Sequence, residues 1–71
     1  MVKVYNNVRD LREAAGMSQL ELARRMGVNP STVCRWEMQK TVFDTYVLGR
    51  LCEIFRVSPN LVISLREEGE A

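Results

Sequence analysis

Histidine is absent from this chain, and cysteine occurs only twice, as Cys34 and Cys52. Without histidine the commonest general base is missing, and two thiols leave a zinc site short of ligands. His-based catalysis and a structural metal fall away together, so neither a metal nor another cofactor is expected. No apolar run approaches the ~20 residues that a membrane helix needs. The opening MVKVYNN also has neither the apolar centre nor the small-residue cleavage site of a secretory signal. The expectation is a cytoplasmic protein without a membrane partner, in which both cysteines are reduced thiols rather than a bridge. A cysteine nucleophile would have no histidine beside it, so an enzyme is not expected. Redox sensing through Cys34 would have only Arg35 as an activating charge.

What is present describes one small globular domain. The 71 residues are 46% apolar and 27% charged, with a net charge of +1. That balance averages two unlike regions, because residues 1–66 hold ten Lys+Arg against six Asp+Glu while REEGEA adds three glutamates. The reading is a domain over 1–66 followed by an acidic tail at 67–71. Eight of the ten basic residues are arginine, whose planar fork suits phosphates and base edges.

Caps and periodicity predict five helices. Asn7 with Asp10 three residues on starts the first, with Val8, Leu11 and Ala15 on one face and Gly16 ending it. Ser18 with Glu21 is a capping box for the second, whose inner stripe is Leu22, Ala23 and Met26 and whose stop is Gly27. Asn29 caps the third, with Pro30 in its first position. The fourth follows Asp44 with Leu48, Leu51, Cys52 and Phe55 at helical spacing; the fifth follows Ser58-Pro59 and buries Leu61, Val62 and Leu65. Val2 and Val4 are given at most a short extended arm, so the class is all-α.

The segment QLELARRMGVNPSTVCRWEM, residues 19–38, carries the functional information: a short helix, a glycine turn and a second short helix. Ala23 is small where two helices approach, and Gly27 is free to take the positive φ of a sharp turn. With Val33 at the centre of the inner side of the later helix, steps of 100° put Trp36 and Glu37 within about 60° of it. Ser31, Arg35 and Met38 fall on the outer side. A braced helix with a hydroxyl, an arginine and a thioether outward fits a major groove, and it equally describes a helical hairpin with an ordinary solvent face.

The ordered series of Leu-Arg in the first helix, Gly-Met-Ser-Gln before the second, Glu-Leu-Ala within it, Gly-Val before the third, Ser-Thr-Val and Trp-Glu inside it, and Phe-Arg-Val-Ser-Pro before the fifth resembles the Cro/repressor-type helix-turn-helix family over residues 7–65. The resemblance implies a compact five-helix, lambda-repressor-like domain that binds double-stranded operator DNA as a homodimer and regulates transcription. It further implies base reading by Ser31 and Arg35 with Pro30 and Thr32 flanking, phosphate contacts from Gln19, Asn29, Lys40 and Thr41, and an ion pair between Arg12 and Glu37. The pair also follows from the residues themselves. Arg12 falls in an inner slot, and Glu37 is a carboxylate near a helix C-terminus, which the helix dipole disfavours.

Several positions depart from the family pattern. Met38-Gln39 stands where an Asn-Gly turn is frequent, which predicts another path for the loop. Val42-Phe43 replaces polar phosphate contacts with apolar residues that either fold inward or form a partner patch, and Leu20 is an apolar residue off the inner stripe. With the Leu61–Leu65 segment, Val42 and Phe43 are the candidates for a dimer contact. The apolar Val42-Phe43 and Leu20 keep open an antitoxin that also holds a toxin. The weak net charge of +1, with Pro30 where a long polar side chain often reads a base, keeps open a protein-interaction adaptor that has lost DNA binding.

Overall fold

The computed structural model of the protein describes residues 1–40 and 43–69. Its elements run β1 (Val2–Asn6), α1 (Val8–Ala14), α2 (Gln19–Met26), α3 (Pro30–Glu37), α4 (Thr45–Phe55), α5 (Pro59–Val62) and β2 (Ile63–Glu67). The helix boundaries follow local chemistry. Ser18 accepts a hydrogen bond from the Glu21 N–H at the start of α2, and Gly27 ends that helix in the left-handed conformation at φ 72°. Asp44 accepts from the Val47 N–H to open α4. Pro30 occupies the first turn of α3, where its missing N–H leaves no bond unmade.

The fully buried core is Val8, Leu22, Ala23, Val33, Trp36, Leu51 and Val62, so every helix contributes to one cluster. Ala23 lets α2 and α3 approach closely, and Arg50 of α4 donates to the Arg25 carbonyl at the end of α2. Ala15 does not join the inner face of α1; it is the exposed C-cap residue, because the chain leaves the helix at Gly16 with φ 72°.

The fold is helical but not all-α. β1 and β2 form a two-stranded antiparallel ribbon, with Val2 opposite Glu67, Val4 opposite Leu65 and Asn6 opposite Ile63. Directly opposed residues share a face, which puts Val2, Val4 and Leu65 on one side and Lys3, Tyr5 and Arg66 on the other. The Arg66 guanidinium lies 4.6 Å from the Tyr5 ring centre, and the Tyr5 hydroxyl donates to the Glu68 carboxylate. That bond raises the Tyr5 pKa above its ordinary value. Glu67 and Glu68, the first two acidic residues after position 66, are thus tied into the ribbon.

The ribbon also corrects the fifth helix. α5 ends after Val62 because the next five residues pair with β1. Val62 is buried as expected, but Leu61 is 52% exposed and Leu65, carried onto the strand, is 67% exposed. Among the described residues no helix is long and apolar enough to cross a membrane.

Candidate nucleic-acid interface

The α2–turn–α3 unit presents one side of α3 to solvent. Val33, Trp36 and Glu37 are buried against α1 and α2, while Pro30, Ser31, Arg35 and Met38 are exposed and Thr32 is half-buried between the two sides. Asn29, just ahead of α3, is exposed and makes no side-chain cap bond. Ser31 and Arg35 are one turn apart, so their side chains stand on the same outer stripe. Cys34 lies beside that stripe, half-buried, with its sulfur 3.7 Å from the Met38 sulfur.

Behind this face, one carboxylate joins three helices. Arg12 of α1 donates from Nε to Glu37 Oε2 at 2.6 Å and from Nη2 to Oε1 at 3.2 Å, a two-pronged pair. Its remaining terminal nitrogen bonds the Met17 carbonyl at 2.8 Å. Gln19, at the start of α2, donates to Glu37 Oε1 at 2.9 Å, and Arg9 reaches the same oxygen at 3.4 Å. The Glu37 side chain is 0% exposed and that of Arg12 12%. Burial pushes the Glu37 carboxyl up, but the bonds from Arg12 and Gln19, the Arg12 charge and the Arg9 bond outweigh it, and the group is held below its ordinary value. The bond to Glu37 in turn raises Arg12.

Gln19, half-buried at the start of α2, thus spends a side-chain N–H on Glu37 and braces α3 from behind. Lys40 is exposed, but its backbone N–H donates to the Arg35 carbonyl at 3.0 Å, which leaves its ammonium as the group that can meet an anion. Thr41 and Val42 lie outside the described residues. Phe43 folds inward, its ring meeting Trp36 edge-on at 5.8 Å.

Sequence reasoning missed a further contact at this end of α3. Asn6, the last residue of β1, donates from its side chain to the Trp36 carbonyl at 2.8 Å and exchanges two backbone bonds with the Gln39 amide. The available signal was Gln39 itself, standing where the family favours glycine. Among the described residues, no three potential metal ligands cluster together.

The order and geometry of these helices agree with a helix-turn-helix family model, which matches residues 8–62. The chain belongs to the Cro/repressor-type helix-turn-helix family. In structure this helix-turn-helix protein is similar to a Bacteroides fragilis protein provisionally described as DNA-binding. The TM-score is 0.82 at 22% identity, over 87% of this chain and 100% of the other. No curated relative matches the helix-turn-helix chain in sequence.

Proposed function

We propose that this helix-turn-helix protein is a transcriptional regulator that binds double-stranded operator DNA sequence-specifically, with α3 in the major groove. The observation that carries the reading is the two-sidedness of α3: Ser31 and Arg35 stand exposed on one side, while Val33, Trp36 and Glu37 lock the other into the core. Arg35 matches the O6 and N7 acceptors of guanine, and the shorter Ser31 adds one less selective hydrogen bond. Thr32 and Pro30 flank them. Gln19, Asn29, Lys40 and Thr41 contact phosphates, which position the protein without reading sequence. The function is steric and electrostatic and involves no catalysis.

One short helix reads few bases, so the operator is bound by a homodimer whose recognition helices reach half-sites about one helical turn, ~34 Å, apart. Exposed Leu61 and Leu65 offer apolar surface for that contact, whereas Phe43 is spent on Trp36. A second reading, an adaptor or toxin-binding antitoxin on the same fold, is favoured by Leu20, which is 49% exposed on α2. Selection of duplexes from a random pool, followed by gel shifts at graded salt, separates them. The DNA reading requires an enriched two-fold sequence and an affinity that falls steeply with salt. No enrichment and no salt-dependent shift would leave the adaptor.

A further inference from the structure

We propose that Asn6 and Gln39 form a latch that sets the tilt of α3, which makes both of them positioning residues for base reading. This rests on α3 being the recognition helix. Gln39 lies two residues beyond α3 and holds φ 61°, a conformation that glycine adopts freely and a residue with a Cβ adopts at a cost. The position tolerates glutamine because its side-chain amide is used twice on one residue of β1. Oε1 accepts from the Asn6 N–H at 3.0 Å, and Nε2 donates to the Asn6 carbonyl at 3.0 Å. The amide thus pairs with Asn6 as a neighbouring strand would. Asn6 completes the arrangement with its own side chain, which donates to the Trp36 carbonyl at 2.8 Å and accepts from the Val8 N–H at 3.1 Å. A single residue at the foot of the ribbon therefore holds the last turn of α3 and the first turn of α1 together.

The other fixings of α3 lie elsewhere. The Gly27 turn holds its N-terminal end, and the Glu37 cluster holds its inner side. Just past the helix, the Met38, Gln39 and Lys40 N–H groups bond the Cys34, Trp36 and Arg35 carbonyls, and the latch adds the tether that ties this segment to β1. A reading side chain has to sit within about 0.5 Å and 10–20° of its productive pose. Losing the latch removes one tether from the end of the turn that carries Arg35, while the core cluster that holds its inner side stays in place.

Gln39→Gly is the informative variant, because it removes both amide bonds yet fits φ 61° without strain. Its thermal midpoint should stay within roughly 5 °C of wild type, a change of about one hydrogen bond's worth for a domain of this size. Binding is measured to a duplex selected from a random pool by the wild-type protein, and to a scrambled duplex of equal length and composition. The expected result is a preference for the selected duplex reduced at least about fivefold, the lower end of what one base contact discriminates, with affinity for the scrambled duplex unchanged. Asn6→Ala, which keeps the backbone pairing and loses only the Trp36 bond among the α3 contacts, should give a smaller loss in the same direction. An unchanged preference in Gln39→Gly would overturn the latch, as would equal losses on both duplexes. A wild-type protein that selects no duplex would instead overturn the assignment of α3, and the latch with it.

Discussion

Removing Arg12 should be among the most damaging single changes on this molecule, and the Glu37 cluster allows its size to be worked out. The Glu37 carboxylate has no exposed side-chain surface, so it cannot recover water when its main partner leaves. Breaking a buried ion pair from one side costs about 3–5 kcal/mol. Gln19 and Arg9 stay within 2.9 and 3.4 Å of Oε1, which places Arg12→Ala near the lower figure, ~3 kcal/mol. A 71-residue domain commands only about 4–10 kcal/mol in total, and the expected fall in thermal midpoint is roughly 12 °C or more. Urea unfolding of Arg12→Ala, Glu37→Gln and the double variant measures the coupling, which should be ~1.5 kcal/mol or larger because the two side chains share two charged hydrogen bonds. The pH dependence has a definite sign. Glu37 is depressed in the folded protein from an ordinary value of 4.5, so its contribution is complete above that pH and is lost as pH falls through the lower folded value. The stability difference between wild type and Glu37→Gln should be flat above about pH 5 and shrink in more acid solution. Single losses below ~1 kcal/mol that simply add in the double variant would refute this account of the cluster.

Three other outcomes follow from the same geometry. Ser18→Ala should cost ~1 kcal/mol by thermal unfolding, since it removes the acceptor of the Glu21 N–H at 3.0 Å; a loss under about 0.3 kcal/mol would mean that water replaces the cap. Leu51→Ala, at a fully buried site, should cost about 2–5 kcal/mol in urea; a cost below that range would mean the surrounding helices collapse into the space. Lys40→Ala should weaken binding to all duplexes alike and lower the salt slope by roughly one per subunit; a loss confined to one sequence would make Lys40 a base reader.

The helices were legible because their signals are local. Ser18, Gly27, Pro30 and Asp44 each act on the nearest turn, and their effects can be read without knowing the rest of the fold. The ribbon was not legible for the opposite reason. β1 and β2 stand at opposite ends of the chain, and each has only five residues, too few for a period of two to be told from a helical one. Leu61 and Leu65, four apart, mimic one helical face. In the structure Ile63 opposes Asn6 and Leu65 opposes Val4, so the strand pairing overrides that spacing and turns Leu65 to solvent. The same remote pairing explains Asn7, which was expected to cap α1. Its side chain instead donates to the Leu61 carbonyl at 3.1 Å, and Asn6 caps the Val8 N–H in its place.

The outer stripe of α3 followed from angles alone, since Ser31, Arg35 and Met38 are exposed and Trp36 and Glu37 buried, but the behaviour of the loop after it did not. Glutamine in place of glycine argued for a different path. The backbone at Gln39 nevertheless takes φ 61°, the conformation a glycine there would supply. A propensity argument weighs only what the residue costs locally, of order 1 kcal/mol for a side chain in this region. Two hydrogen bonds to Asn6 offset that cost, and their donor and acceptor lie 33 positions away in sequence. Glutamine at this position thus adds a tether that glycine could not make, while Thr41 and Val42, which continue the loop, lie outside the described residues. Arg35→Ala tests whether that tether serves reading. If Arg35 recognises one guanine per half-site, its removal should flatten preference at that position by ~1–3 kcal/mol while scrambled DNA binds nearly as before. Arg35→Lys should restore only part, lacking the fork. In the Gln39→Gly background Arg35→Ala should then lose less than it does in wild type, because the arginine is already out of register. Full additivity of the two changes would mean that Arg35 reads its base without help from the latch.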